Sequence, residues 1–83
     1  EDELLASSLL ARDVNWLSIV PPLAPIKAAV KIRYRHPETP ATVTPLGQGR
    51  VRVDFEEPQR AVAPGQAAVF YDGEVCLGGG WIE

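Results

Sequence analysis

Apolar and polar residues alternate along much of this chain with the two-residue period of a β-strand. The sharpest alternation runs from Ile26 to His36, where one face is apolar and the other is mostly basic. The apolar face comprises Ala28, Val30, Ile32 and Tyr34, and the other face comprises Lys27, Ala29, Lys31, Arg33 and Arg35. Because successive side chains of a strand point to opposite faces, this segment is predicted to be a strand with a basic outer face.

Residues 50–56 alternate in the same way and predict a further strand. The inward set is Val51, Val53 and Phe55, and the outward set is Arg50, Arg52 and Asp54. Residues 41–46 also favour a strand, because Val43 is flanked by two threonines. The glycines at 47 and 49 lie between these two segments, so the pair is predicted to form a hairpin.

The end of the chain predicts a turn followed by a second hairpin. Pro64-Gly65 favours a type II turn, because Pro fixes φ at the first central position and Gly accepts the positive φ of the second. An apolar strand should follow, and Asp72-Gly73 is typical of a type I′ turn. Val75 and Leu77 then alternate with more polar neighbours. The glycines at 78–80 remove three side chains and are expected to allow a bulge or a close backbone approach.

Prolines mark where two segments should end. Residues 9–20 are apolar but irregular, compatible with a strand and a bend or with a short amphipathic helix. The prolines that follow predict an extended edge or linker over residues 20–25. Glu57-Pro58 is expected to interrupt the strand that begins at Arg50, and residues 60–63 to form a short strand of their own.

The predicted fold class is all-β. Six or seven short strands follow one another at about ten-residue spacing, separated by Pro and Gly, which is typical of an antiparallel barrel or sandwich. A small closed antiparallel β-barrel is favoured, because each strand has one apolar face and closure removes exposed edges. Residues 1–83 are predicted to form a single domain.

Composition limits the kinds of protein and of cellular compartment that fit this sequence. The chain has 83 residues, begins with Glu and contains no Met, so we expect it to be a segment of a longer protein. A net charge of −3 argues against a surface devoted wholly to nucleic acid, although a local basic stripe is compatible with it. The single cysteine fits a reducing compartment, and no apolar run reaches the roughly 20 residues that span a bilayer. A soluble, cytoplasmic protein is expected.

The residues that could carry catalysis do not form a convincing set. Cys76 and His36 could serve as nucleophile and base, but a single Cys within a strand is more often a small packing residue. One His and one Cys cannot complete a zinc site. The glycine run lacks the Lys and Ser/Thr of a phosphate-binding loop. No catalytic residue, metal site or cofactor is therefore expected in this chain.

The basic stripe is the strongest functional signal. A charged strand face is usually only the solvated side of a sheet. Here, however, Arg33 and Arg35 flank Tyr34, and Arg can bind phosphate bidentately or stack on a base. Lys31 extends the stripe, and Gln66 adds an amide beside a predicted exposed turn. These residues favour contact with a nucleic-acid backbone.

Four segments, in their order and spacing, carry a family resemblance. They are NWL at 15–17, KIRYRH at 31–36, ATV at 41–43 and FEEPQRAVAPGQAAVFYDGEVCLGGGWI at 55–82. Together they resemble the C-terminal domain of the bacterial tRNA-specific 2-thiouridylase family, MnmA. That family is also named TrmU, or tRNA (5-methylaminomethyl-2-thiouridylate)-methyltransferase. The resemblance covers nearly the whole chain.

The resemblance implies a three-part enzyme whose catalytic and central domains are absent from this sequence. In that family, ATP adenylates the C2 oxygen of the wobble uridine in the tRNAs for Lys, Glu and Gln, and a persulfide sulfur then displaces AMP. ATP with Mg and the catalytic cysteines belong to the upstream part. The C-terminal domain is a β-barrel, and its tRNA contacts match Arg33, Tyr34 and Gln66 in this sequence, to which Lys31 and Arg35 are added as neighbours.

Two other roles remain open for the domain. It could be a structural module that packs on the catalytic domain, with Leu4, Leu5 and residues 16–20 as the docking face. It could instead be the docking site of a sulfur-relay protein. Barrels of this kind also occur in proteins of other functions, so the fold alone does not choose among the three.

Overall fold

A computed structural model describes residues 5–32, 37–60 and 62–83, which form a closed six-stranded antiparallel barrel. The strands are β1 (Leu5–Trp16), β2 (Ile26–Lys31), β3 (Thr39–Gly47), β4 (Arg50–Arg60), β5 (Ala67–Asp72) and β6 (Val75–Ile82). Their order around the barrel is β1-β4-β3-β2-β5-β6, and β6 pairs with β1 to close it. The predicted all-β barrel is confirmed, and the described residues include no helix that could cross a membrane.

One apolar face of each strand fills the interior. The buried residues are Leu9, Ala11, Ala28, Val30, Ile32, Ala41, Val43, Val51, Val53, Phe55, Ala68, Phe70, Leu77 and Ile82. The inward faces predicted for residues 28–32 and 51–55 are therefore confirmed. Phe70 is fully buried, and its ring centroid lies 5.5 Å from that of Trp16, which partly covers the core.

The type II turn predicted at Pro64-Gly65 is confirmed. The Gln66 N–H donates to the Ala63 carbonyl at 3.3 Å, and Gly65 has a φ of 88°, as the second central position of a type II turn requires. The hairpin of β3 and β4 is also confirmed. Its two loop residues, Gln48 and Gly49, both have positive φ, which matches the right-handed twist of the strands.

The type I′ turn predicted at Asp72-Gly73 is wrong by one residue. Asp72 pairs with Val75, so the loop is Gly73-Glu74, and of these two only Gly73 has a positive φ, at 62°. A register shift also lies between the Phe70–Gly78 and Tyr71–Cys76 pairs of this hairpin. Val75, next to the loop, is exposed, whereas Leu77 is buried.

The ambiguous N-terminal segment is a strand, not a helix. β1 shifts register once against β4 and once against β6, and Asp13, within the second shift, has a φ of 52°. These irregularities break the alternation that would have identified the strand. Residues 17–25 then connect β1 to β2 without pairing as a strand, so the predicted linker is confirmed.

The interruption predicted at Glu57-Pro58 is only partly correct. β4 continues through Pro58 to Arg60, and residues 62–63 are not in a strand, so the separate strand predicted over 60–63 is wrong. Residue 61 lies outside the described part. Pairing of β4 with β1 skips from Asp54 to Gln59, and the last pairing of β4 with β3 is at Phe55. Pro58 therefore lies where its missing N–H removes no ladder hydrogen bond.

Candidate nucleic-acid interface

Two of the five residues predicted to contact tRNA lie in the described part of the chain. Lys31 is the last residue of β2, and Gln66 immediately precedes β5. Arg33, Tyr34 and Arg35 lie outside the described residues. Lys31 pairs with Val69, three positions after Gln66. Because β2 and β5 are antiparallel, the end of β2 and the start of β5 lie at the same end of the barrel, about 10 Å apart along β5. The fold thus brings together two segments that are distant in sequence.

The backbone around Gln66 is held firmly. The Ile82 N–H donates to the Gln66 carbonyl, and the Gly65 N–H donates to the Ile82 carbonyl, both at 2.8 Å. These bonds attach the type II turn to the end of β6. Gln66 therefore projects from a fixed support, as a binding residue on a short loop requires.

The Gln66 side chain has an unmet hydrogen-bonding requirement. The residue is half-buried, and its Oε1 atom is buried without a hydrogen-bond partner. A buried polar atom in this state costs about 1–3 kcal/mol. The terminal torsion of Gln is broad, so the amide can turn outward toward a ligand at little conformational cost. An external partner at this turn would remove the penalty.

A carboxylate lies close to the basic face of β2 at the start of the strand. Lys27, near the start of the strand, lies 3.8 Å from the Glu56 carboxylate across the neighbouring strands. A phosphate there would have to compete with that carboxylate. The Lys31 end of β2 is the end that lies near Gln66.

Arg50 is held by Glu83, the residue that follows β6. Its Nε and Nη2 atoms donate to the two carboxylate oxygens of Glu83 at 2.6 and 2.9 Å. This hydrogen bonding raises the pKa of Arg50 and, with the charge of Arg50, lowers the pKa of Glu83. Because the pair is exposed and its charges balance, it contributes little attraction for an anion.

Of the two residues considered as nucleophile and base, one lies in the described part of the chain. Cys76 is half-buried in β6, and its carbonyl accepts a hydrogen bond of 2.7 Å from Ser18 Oγ, whereas His36 lies outside the described residues. Within the described ranges, no three His, Cys, Asp or Glu side chains group as a metal site would need. The glycines at 78–80 lie within β6, so they do not form a phosphate-binding loop. The described residues do not fit ATP with Mg.

Comparison with known proteins assigns the fold to a family. Residues 6–82 match the model of the aminomethyltransferase beta-barrel domain. The chain belongs to this family. Its relatives include proteins named tRNA-specific 2-thiouridylase MnmA, and the match lies in their C-terminal part. The resemblance identified from the sequence is therefore confirmed.

Three of these relatives illustrate the extent of the similarity. The chain is 56% identical to the protein of Solibacter usitatus over 99% of its own length, and 61% identical to that of Nostoc punctiforme over 84%. It is 51% identical to that of Yersinia pestis over 96%. It spans only 20–23% of the length of these relatives.

The sequence alone indicated no role for Trp81, an exposed aromatic residue. Trp81 is 48% exposed on the outer wall of the barrel and pairs with Ala67, the residue after Gln66. A signal was present, because an aromatic residue directly follows three glycines and so borders a strand surface without side chains. The outward direction of Trp81 depends on the register of β6, which the sequence did not settle.

Proposed function

We propose that this barrel is the tRNA-binding and positioning part of a tRNA 2-thiouridylase, which sulfurates C2 of the wobble uridine in an ATP-dependent reaction. The observation that carries the proposal is the placement of Gln66, with its unpartnered amide oxygen, beside the end of the basic strand β2. Membership of the barrel family and the names of the relatives agree with it.

The proposed contacts divide into two kinds. Lys31, Arg33 and Arg35 neutralise phosphates, and Tyr34 stacks or hydrogen-bonds. Gln66 bonds to the RNA backbone from the adjacent turn. Contacts of this kind fix the position and orientation of the RNA but do not select a base. Recognition of the wobble uridine then belongs to the catalytic part, where a base taken out of its stack can enter a pocket.

The remaining parts of the reaction lie outside this chain in our proposal. Residues 1–83 form the C-terminal domain of a longer cytoplasmic enzyme, whose catalytic and central domains bind ATP with Mg and carry the cysteines. The tRNAs for Lys, Glu and Gln are the substrates. A sulfur-relay protein delivers the sulfur.

Substitutions at the two described contact residues should weaken tRNA binding in different ways. Lys31→Ala removes a phosphate contact, so it should lower the affinity and reduce the slope of log K against log salt by about 0.7–0.9. Gln66→Ala removes an uncharged hydrogen bond, so it should lower the affinity about two- to tenfold and leave the slope unchanged. Filter binding or fluorescence anisotropy of an unmodified tRNA-Glu transcript at several salt concentrations measures both quantities.

Two residues of the same chemistry serve as controls for these variants. Lys27 is paired with Glu56, and the Gln59 side chain donates to the Glu57 carbonyl at 2.8 Å on β4. Lys27→Ala and Gln59→Ala should leave tRNA affinity close to that of the unmodified chain. If these controls weaken binding as much as Lys31→Ala and Gln66→Ala do, the proposed location of the interface is wrong.

Exposed apolar residues at the end of the barrel opposite to Gln66 favour a second candidate function. In the 17–25 connection, which leads into the start of β2, Leu17, Val20 and Leu23 are 66%, 84% and 99% exposed. Leu5 is exposed too, but it begins β1 and lies at the other end of that strand from the connection, and Leu4 lies outside the described residues. The exposed apolar residues of the connection are typical of a surface that packs on another domain or protein. The barrel would then be a structural module on the catalytic domain, or the docking site of the sulfur-relay protein.

Substitutions in this connection separate the two functions. If the barrel positions tRNA, Leu17→Ser with Leu23→Ser should leave tRNA affinity of the chain unchanged, because both residues lie away from the Gln66 end. In a full-length enzyme, thiolation assays should then show a larger loss with Arg33→Ala plus Gln66→Ala than with the leucine substitutions. The reverse order would favour the structural module, and tRNA-independent capture of the relay protein would favour docking.

A further inference from the structure

A shallow groove of about 200 Å³ crosses the outer wall of the barrel where β6 runs between β1 and β5. Its lining residues are Asp13, Asn15, Ala67, Ala68, Val69, Gly79, Gly80 and Trp81. Trp81 forms one side of the groove, and Asp13 and Asn15 come from the neighbouring strand. Small residues and glycines form the floor.

The floor is kept bare by the close packing of the strands. Gly79 lies on the same face of β6 as Trp81, and a Cβ atom there would lie 2.7 Å from the Ala68 carbonyl oxygen. This contact is not tolerated, because the oxygen belongs to the backbone. The depression beside Trp81 is therefore a permanent feature of the wall, with one large aromatic side chain at its edge.

The lining determines what kind of group fits. Among the residues that the structure describes, the groove is lined by one carboxylate, one amide and one indole, and by no Lys or Arg. The Asp13 carboxylate is already bound by Arg12 Nη1 at 2.7 Å. Arg12 and Asp13 balance each other's charge at this edge, so the groove offers a phosphate little net attraction. A flat, uncharged ring fits better, since it can stack on the indole while the Asn15 amide offers both a donor and an acceptor to its edge.

The groove also adjoins the interface proposed above. Trp81 pairs with Ala67, and the residue before Ala67 is Gln66, whose carbonyl accepts from the N–H of the residue after Trp81. An RNA strand held at Gln66 would therefore lie next to the groove. We infer that the groove is a stacking site for one unpaired nucleobase of the bound RNA, with Trp81 as its platform and Asn15 at the base edge. This inference rests on the proposed tRNA binding.

The test compares tRNA binding by the 83-residue chain and by three variants at constant salt. Trp81→Val removes the aromatic ring but keeps a residue that favours strands, and Trp81→Phe keeps a ring. Val75→Thr, at an exposed apolar position in the same strand, is the matched control. Circular dichroism and thermal unfolding establish that each variant is folded. The indole N–H signals in NMR spectra report directly on Trp81, with Trp16 as the internal reference.

Stacking on an aromatic side chain predicts that Trp81→Val weakens tRNA binding about five- to a hundredfold, with an unchanged salt slope. Trp81→Phe should retain most of the affinity, and Val75→Thr all of it. Single-stranded oligouridylate should shift the Trp81 indole signal, whereas a blunt RNA duplex should not. If the unmodified chain binds tRNA and Trp81→Val binds it equally well, the stacking site is wrong and the proposed function stands. If the unmodified chain binds no tRNA at all, both are overturned.

Discussion

Gly78→Ala is expected to lower the free energy of unfolding by about 3–5 kcal/mol. The added Cβ would lie within 2.2 Å of the Asn15 carbonyl oxygen and 2.9 Å of the Trp16 Cα atom, both of which belong to the β1 backbone. Gly78 also has a φ of 153°, which a residue with a side chain adopts only with strain. Since β6 and β1 close the barrel at this point, the methyl group can be accommodated only by separating them.

That loss is large for a chain of this size. At roughly 0.05–0.15 kcal/mol per residue, its total stability is about 4–12 kcal/mol. Thermal unfolding followed by circular dichroism should therefore show a Tm lowered by more than about 12 °C, or no folded state at all. The matched control is Gly73→Ala, because Gly73 has a φ of 62° and nothing within 4 Å of an added Cβ. It should cost only about 1–2 kcal/mol. Equal losses at the two positions would contradict the close approach of β6 to β1.

Phe70→Ala is expected to cost about 3–5 kcal/mol, because it removes the largest fully buried side chain among the residues that the structure describes. Its ring also contacts Trp16, which covers the core where the chain leaves β1. Urea unfolding should show a lower midpoint. The fluorescence of Trp16 should shift to longer wavelength in the native state, because the indole loses its aromatic neighbour and gains exposure to water.

Two further substitutions serve as comparisons for the loss of stability expected with Phe70→Ala. Phe70→Leu keeps most of the buried volume and should cost clearly less than Phe70→Ala. Val75→Ala removes an exposed side chain on the paired strand and should change stability by no more than about 0.5 kcal/mol. If Phe70→Ala is as mild as Val75→Ala, the assignment of Phe70 to the centre of the core is wrong.

The sequence predicted the local parts of the barrel well. The hairpin at Gln48-Gly49 and the turn at Pro64-Gly65 depend on residues adjacent in sequence, and both were predicted correctly. The inward faces of β2 and β4 followed from a period that no bulge disturbs within residues 28–32 and 51–55. Where bulges occur, prediction failed. The second hairpin, which contains a register shift after Phe70, turns one residue later than predicted, and the irregularities near Asp13 hid the strand character of β1.

Strand order could not be predicted, for a physical reason. β1 pairs with β4 and β6, and β2 pairs with β5, so these ladders join segments far apart in sequence. Each strand presents a similar apolar face, and many orders would bury those faces equally well. The location of the proposed tRNA interface also depends on pairing between distant segments. The sequence marked Lys31 and Gln66 separately, but only the pairing of β2 with β5 brings their segments to one end of the barrel.

The most direct test of tRNA binding at this end of the barrel is an NMR titration of the chain with unmodified tRNA-Glu transcript at low and moderate salt. The backbone amides of residues 31–36 and 65–67 should shift on addition of tRNA, and the shifts should weaken as salt increases. The amides of residues 17–25, in the connection at the opposite end, provide the internal control. No shift at any salt concentration, or shifts confined to residues 5–20, would contradict tRNA binding at the Gln66 end of the barrel.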